Sequence, residues 1–176
     1  IFAVVAETRE QARRAARLAR IEIAQEPPAV TVDQSLALKE KDLLPPYEFR
    51  RGDLARARKA AKHRVGESFL IGGQEHFYLE GQISLALPEE SGAMTVLSST
   101  QHPTEIQHIV AKMLGLADAQ VACECRRMGG GFGGKESQAT QWACLAALAA
   151  RVTGRPAKCR LDRDEDMIMT GKRHDF

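Results

Sequence analysis

The sequence MGGGFGGKES occupies residues 128–137, and five of the six residues from 129 to 134 are glycine. Glycine has no Cβ and reaches positive φ without a steric clash, so successive backbone N–H groups of such a loop can turn towards one ligand. Residues 121–127 predict a strand, and residues 138–152 predict a helix whose first N–H groups lack partners within the helix. This order of strand, glycine loop and helix N-terminus predicts a site for an anionic, phosphate-bearing ligand. The bulky Phe132 is expected to lie against whatever the loop binds.

Two general nucleotide-binding patterns match this loop in part. Gly129, Gly131 and Gly134 satisfy G-x-G-x-x-G, the dinucleotide pattern, which also requires an acidic residue about 20 positions later. The candidate for that residue, Asp162, comes too late in the sequence. The pattern G-x-x-x-x-G-K-[ST] fails at its last position, where Glu136 replaces the hydroxyl that binds Mg²⁺. A non-catalytic nucleotide-binding module stays open as an alternative, and it predicts ATP or NAD binding to the isolated chain.

The composition is that of a globular protein. The chain has 176 residues, of which 44% are hydrophobic and 27% are charged, and this balance argues against disorder. The net charge of +2 is too small to imply a nucleic-acid partner. No apolar run approaches the roughly 20 residues that span a bilayer, so we expect no membrane partner and a cytoplasmic location. The cysteines lack C-x-x-C spacing and are expected to be reduced thiols in the core: Cys123, Cys125, Cys144 and Cys159.

The first part of the chain predicts a compact strand, helix and strand. Residues 4–7 and 21–23 are apolar or alternate in the manner of strands. Between them, Thr8 and Gln11 have the spacing of a capping box, and the helix that they begin is expected to extend to about residue 20. The opening residues look like the middle of a strand, so we expect the sequence to be a piece of a longer protein. We place a domain boundary near residue 45, which begins a Pro-Pro pair.

The second part predicts alternating strands and helices. Asp53 begins a short helix, residues 64–70 alternate as in a strand, and residues 77–87 and 94–99 predict an antiparallel hairpin. A helix then runs from Pro103 to Gly115, followed by the strand, loop and helix described above and by a strand at 157–161. If helices connect these last strands within one sheet, the loop at Gln101 and the loop at 129–136 both leave carboxyl ends of strands. The two loops are then expected to converge on one ligand.

Four motifs together are far more specific than the glycine pattern alone. They are GQEHFYLE at 73–80, STQ at 99–101, RRMGGGFGGKE at 126–136 and DRDEDM at 162–167. In this order they resemble the xanthine dehydrogenase/aldehyde oxidase family, above all the molybdopterin-binding subunit or domain of xanthine dehydrogenase. The resemblance implies an α+β fold. Residues 1–45 would be the C-terminal part of an α/β-hammerhead domain with its connector, and residues 46–176 the first part of a two-layer α/β molybdenum-cofactor-binding domain.

The resemblance also implies roles for individual residues. Gln101 is expected beside the molybdenum oxo group, to which its amide can donate without adding charge, and Phe132 is expected next to the metal. Gly131 and Gly133 would offer backbone N–H groups to the cofactor. Glu136 would contact the substrate, and a glutamate at this place favours a purine over an aldehyde. No catalytic residue is expected in this fragment, because the general-base glutamate of the family should lie beyond residue 176.

The implied activity is the oxidation of hypoxanthine and xanthine to urate. The molybdenum-molybdopterin cofactor would pass electrons through [2Fe–2S] clusters and FAD, carried by other domains or subunits, to NAD. A higher oligomer is expected, and the fragment alone should be inactive. The alternatives are an aldehyde or nitrogen-heterocycle oxidoreductase of the same family and the nucleotide-binding module introduced above.

Overall fold

The computed structural model describes residues 2–38 and 44–176. The chain divides into two compact units, one containing residues 1–20 and 73–174 and the other residues 21–72 and 175–176. The helices are α1 (Arg9–Ala16), α2 (Val32–Leu38), α3 (Leu54–Ala60), α4 (Pro103–Leu114), α5 (Gln138–Thr153) and α6 (Arg163–Met169). The strands are β1 (Ile83–Pro88), β2 (Met94–Ser98), β3 (Val121–Glu124) and β4 (Ala157–Arg160). The second unit contains α2 and α3, and the first contains all the other elements.

The four strands form one mixed sheet in the order β3-β2-β1-β4. Strand β1 is antiparallel to both β2 and β4, whereas β2 and β3 are parallel, so β2, β3 and β4 run in the same direction. In the register, Leu85 faces Leu97 on one side and Lys158 on the other. The segments that follow β2, β3 and β4 therefore leave the sheet at the same edge, together with the segment that enters β1. This arrangement confirms that the Gln101 loop and the glycine loop emerge on one side.

Helices α4 and α5 pack against the sheet and complete a two-layer α/β core. The face of α5 that is buried against the sheet is built from alanine, whose small side chain lets the helix approach β1 closely. Its buried alanines are Ala139, Ala143, Ala146, Ala147 and Ala150. The sheet contributes Ala86, Met94 and Val96, and α4 contributes Ile106 and Val110. The predicted α+β class is confirmed.

The helix ends follow the capping chemistry of the sequence. Thr8 and Gln11 form the predicted capping box of α1, and the Asp53 side chain accepts a bond from the N–H of Arg56 at the start of α3. Helix α4 begins at Pro103 and ends at Gly115, whose φ of 68° lies in the left-handed region that glycine occupies without strain. Local side-chain chemistry was therefore sufficient to locate these helix ends.

Three predicted strands are wrong, and other bounds shift. Residues 4–7, 21–23 and 64–70 are not strands, and α1 ends at Ala16 instead of near residue 20. Strand β1 begins six residues later than the alternating pattern, at Ile83, and β3 ends three residues early. Alternating side chains do not form a strand by themselves, because the backbone N–H and C=O groups need a neighbouring strand. No element pairs with those three segments in the described part of the chain.

The cysteines can be compared with their predicted state. All four cysteines are free, as predicted, and Cys123, Cys144 and Cys159 are partly buried against the core, whereas Cys125 lies outside it, contrary to the prediction. Burial raises the pKa of Cys123 to about 11, with smaller contributions from Cys125 and Glu124, so its thiol is poorly reactive at neutral pH.

Within residues 2–38 and 44–176, no helix has both the length and the apolar character needed to cross a membrane.

Candidate functional site

Four segments meet at the edge of the sheet where β2, β3 and β4 end. They are residues 99–102 after β2, residues 125–137 after β3, residues 161–166 after β4, and residues 77–82 before β1. These segments include most of the residues of the four motifs. The topology of the sheet thus brings distant parts of the sequence together.

The glycine loop has a conformation that other residues would strain. Gly130 and Gly133 have φ of 91° and 89°, and Phe132, which is not a glycine, has φ of 52°. A Cβ atom at Gly131 would lie 2.5 Å from Gln101 Oε1, so only glycine allows this approach. The Phe132 side chain is 76% exposed although it is large and apolar. Among the described residues, the N–H groups of Gly131 and Phe132 have no acceptor.

Gln101 is held by the glycine loop in one orientation. Its Oε1 accepts hydrogen bonds from the N–H of Gly133 at 3.0 Å and from the N–H of Lys135 at 3.2 Å. Because both partners are donors, the carbonyl oxygen must face the loop and the NH₂ group must face away from it. The Nε2 atom makes no hydrogen bond within the described part of the chain, and the side chain is exposed. Gln101 therefore presents a neutral donor outside the loop.

The structure places Gln101 against the glycine loop, in contact with two of the other predicted site residues, Gly131 and Gly133, and Phe132 lies between these two in the chain. The N–H of Gly133, which the resemblance assigned to the cofactor, is donated to Gln101 in the structure. Glu136 is exposed on the same loop, and its side chain has no hydrogen bond or ion pair in residues 2–38 and 44–176. The carboxylate of Glu136 is thus available to a ligand.

Sequence analysis missed an ion pair between a buried lysine and a partly exposed glutamate, Lys135 and Glu80. The Lys135 side chain is completely buried, and its Nζ lies 3.1 Å from Glu80 Oε2 and 2.9 Å from Ser99 Oγ. The same ammonium lies 4.7 Å from the centre of the Tyr78 ring. Lysine is almost never fully buried without a partner, and 55 residues separate this pair in the sequence. No local pattern signals such a distant pair.

Glu80 remains a carboxylate in these surroundings. Its burial opposes ionisation, but hydrogen bonds from Ser99, from the N–H of Gly129 and from Lys135 outweigh that effect. The pKa of Glu80 therefore lies below its ordinary value of 4.5. The backbone completes the contact, since the N–H of Glu80 donates to the carbonyl of Gly129 at 3.1 Å.

A second buried network supports the C-terminal end of the loop. The Tyr78 hydroxyl donates to Asp166 Oδ1 at 2.6 Å, and Gln82 Nε2 donates to both the Tyr78 hydroxyl and the carbonyl of Gly134 at 2.9 Å. Asp162 caps α6 through the N–H of Glu165. Asp162, Glu165 and Asp166 therefore have structural roles in the described part of the chain.

The sequence of residues 38–176 matches the family described as the molybdopterin cofactor-binding domain. Over the whole chain, it is 45% identical to xanthine dehydrogenase/oxidase of Mus musculus, 44% to that of Felis catus, and 44% to xanthine dehydrogenase of Drosophila pseudoobscura pseudoobscura. The chain spans 13% of the length of each of these relatives. These matches confirm the resemblance found in the four motifs.

Solved structures share the fold. Quinoline 2-oxidoreductase from Pseudomonas putida 86 superposes with a TM-score of 0.80 at 23% identity, over 95% of this chain and 22% of that protein. Aldehyde oxidoreductase from Desulfovibrio gigas gives a TM-score of 0.80 at 24% identity, over 96% of this chain and 19% of that protein. Similarity at this level of identity shows the fold alone. Taken with the match over residues 38–176, it establishes that the chain belongs to the molybdopterin cofactor-binding domain family.

Proposed function

We propose that this chain is the part of a molybdenum hydroxylase that binds the molybdopterin cofactor, and that the enzyme oxidises hypoxanthine and xanthine to urate. The observation that carries the proposal is the outward-facing Gln101 amide on a glycine loop with free N–H groups. The identity of about 44% to xanthine dehydrogenases supports a purine substrate.

The residues at the loop fit a bulky, oxygen-rich and anionic group. Gln101 Nε2 and the N–H groups of Gly131 and Phe132 are donors without acceptors among the described residues. Gly131 leaves no Cβ between the loop and Gln101. Phe132 exposes 76% of an aromatic side chain at the same place, which a bound cofactor would cover. The donors and the aromatic surface together favour an extended cofactor over a bare ion.

When bound, the molybdenum cofactor supplies the two-electron redox chemistry. Gln101 would donate a hydrogen bond to an oxygen of the cofactor and add no charge beside the metal. Phe132 would exclude water from the side of the cofactor where the substrate reacts. Gly131 would allow the backbone of the loop to approach the cofactor closely. Glu136 would hydrogen-bond the polar edge of the purine and orient it.

Other parts of the enzyme complete the reaction. We place the general base outside this chain, so the fragment alone should be inactive. FAD and [2Fe–2S] clusters on other domains or subunits would carry electrons to NAD. The proposal also includes a cytoplasmic location, a higher oligomer, and no nucleic-acid or membrane partner.

Anaerobic reduction by substrate tests the proposed activity. Xanthine is added to the holoenzyme that contains this chain, and the absorbance of the flavin and iron–sulfur centres is followed with urate formation. We expect rapid bleaching and urate. If a molybdenum-containing preparation is reduced by an aldehyde and not by xanthine, the purine assignment is wrong and the protein is an aldehyde-active member of the family.

Replacement of Glu136 by valine tests the substrate contact. We expect Glu136→Val to lower kcat/KM for xanthine by about 100-fold, because the polar purine edge loses its partner. Turnover of an aldehyde should change little. The matched control is Ser137→Ala, since Ser137 is also exposed and makes no side-chain capping bond. Equal losses for purine and aldehyde would refute the role of Glu136.

A further inference from the structure

One carboxylate oxygen is bonded to both ends of the glycine loop. Glu80 Oε2 accepts a hydrogen bond from the N–H of Gly129, the first glycine of the loop, at 2.8 Å. It accepts another from Nζ of Lys135, the residue that follows the last loop glycine, at 3.1 Å. It also accepts the Ser99 hydroxyl at 2.5 Å. Glu80 Oε2 therefore links the two ends of the loop.

Lys135 connects this base to the segment that carries Gln101. Its Nζ donates to Ser99 Oγ at 2.9 Å, and its carbonyl accepts from Thr100 Oγ1 at 3.1 Å and from the N–H of Gln101 at 2.9 Å. Its own N–H donates to Gln101 Oε1. Each residue of the 99–101 segment is thus bonded to Lys135, which links the position of the Gln101 amide to that of the loop.

Stability alone is a poor explanation for this arrangement. Lys135 is fully buried whereas the Glu80 side chain is 40% exposed, and removing a charged group such as the Lys135 ammonium from water has a desolvation cost that its ion pair often fails to offset. A glycine-rich loop, on the other hand, has unusually large conformational entropy and needs several anchors to hold one shape. The ion pair supplies these anchors at 129 and 135 while both loop ends stay fixed to the sheet edge.

We propose that Glu80 and Lys135 are positioning residues, whose ion pair holds the glycine loop and the Gln101 amide in the cofactor-binding conformation. Lys135 is fully buried, so it acts through the loop and Gln101 and not by touching the cofactor. The inference rests on the proposed function only in naming the group for which the loop is shaped. Hydrogen bonds from three donors keep the pKa of Glu80 low despite its partial burial, so the carboxylate is ionised at neutral pH.

Two adjacent buried serines provide a matched test. Ser99 is 4% exposed and its side chain bonds Glu80 and Lys135. Ser98 is 5% exposed, and among the described residues its side chain bonds only the Ser84 hydroxyl, at 2.8 Å. Ser99→Ala and Lys135→Met are compared with Ser98→Ala in the holoenzyme by hydrogen exchange of the peptide covering residues 128–136. We expect exchange at 129, 133 and 135 to rise about tenfold in Ser99→Ala and Lys135→Met, and to stay unchanged in Ser98→Ala.

Cofactor content and kinetics give further readouts. Molybdenum content per chain should fall in Ser99→Ala and Lys135→Met, and kcat should fall with little change in KM, since the cofactor and not the substrate is misplaced. Should Lys135→Met fail to fold, the double variant Glu80→Gln/Lys135→Met removes both charges and is expected to fold with the same mobile loop.

The proposal is overturned if loop exchange in Ser99→Ala equals that in Ser98→Ala, or if the double variant keeps wild-type exchange and molybdenum content. Both measurements are made without substrate. A wild-type enzyme that fails to oxidise xanthine would contradict the proposed activity and would leave the exchange result intact.

Discussion

At the scale of single residues, Tyr78 joins the two buried networks beneath the loop. Its ring lies under the Lys135 ammonium, and its hydroxyl donates to Asp166 and accepts from Gln82. Burial, followed by the hydrogen bond to Asp166, raises the pKa of Tyr78 to about 12. The neutral phenol is therefore part of the folded structure.

Replacement of Tyr78 by phenylalanine removes one buried hydroxyl. We expect Tyr78→Phe to lower the free energy of unfolding by about 1–3 kcal/mol, because Asp166 and Gln82 lose a partner. The control is Tyr47→Phe, since Tyr47 is 90% exposed, and it should have no measurable effect.

The difference in free energy of unfolding between the wild type and Tyr78→Phe is expected to fall at high pH. Folding raises the pKa of Tyr78 from 10.0 to about 12. The contribution of its hydroxyl to the free energy of unfolding is therefore complete below pH 10 and is lost as the pH rises towards 12. Chemical unfolding at several pH values checks this. A difference between wild type and Tyr78→Phe that grows with pH would contradict the assignment.

Sequence analysis proposed candidate site residues that lie in short motifs, and missed the contacts that only folding brings together. Gln101, Gly131 and Phe132 were proposed because their motifs resemble a known family, and in the structure they lie after β2 and β3 at one edge of the sheet. The Glu80–Lys135 pair depends on burial and on a contact across 55 residues. Neither property is encoded in the spacing of neighbouring residues.

At the scale of elements, the alanine face of α5 sets the distance between helix and sheet. Ala147 is completely buried in the core cluster, whereas Val152 on the same helix is 77% exposed. A side chain larger than alanine at position 147 has no space to occupy unless the helix or the sheet moves.

Overpacking this face is expected to destabilise the protein. We predict that Ala147→Leu lowers the free energy of unfolding by about 1–3 kcal/mol, whereas Val152→Leu changes it little. Denaturant unfolding of both variants provides the measurement. Equal stability of the two variants would show that the helix can move away from the sheet without cost.

Helices were predicted better than strands for a physical reason. A helix satisfies its hydrogen bonds within one segment, so caps such as Thr8 and Gly115 determine where it begins and ends. A strand depends on a neighbour elsewhere in the chain. The hairpin of β1 and β2 was correct because its partner is adjacent in sequence, while residues 64–70 alternate and pair with no strand in the described residues.

At the scale of the whole molecule, ion pairs connect the N-terminal segment to the rest of the first unit. Arg13 pairs with Asp162 and lies 3.4 Å from Glu165, and Arg155 contacts Glu7 at 2.6 Å. The hydrogen bond from the Glu165 N–H is the largest effect on the pKa of Asp162 and lowers it; burial opposes this, and Arg13 and Arg9 lower the pKa further. The Arg155–Glu7 pair is exposed and the Arg13–Asp162 pair is partly exposed, so salt should weaken both.

Two neighbouring arginines test this attachment. Arg13→Ala should increase hydrogen exchange in α1, and Arg14→Ala should not, because Arg14 forms no ion pair within the described residues. Raising the ionic strength should have the same effect on the wild type as Arg13→Ala. If Arg14→Ala loosens α1 equally, helix propensity and not the ion pair explains the change.

The hydrogen bonding of the loop has a consequence for the kind of group that it can contact. Carbonyl oxygens of Gly129, Gly131, Gly134 and Lys135 accept bonds from within the protein, and Gln101 turns its own oxygen to the loop as well. Gln101 Nε2 and the N–H groups of Gly131 and Phe132 are donors without acceptors among the described residues, and a donor cannot ligate a bare cation. These three groups would therefore contact a metal centre only through acceptor atoms that the metal already carries.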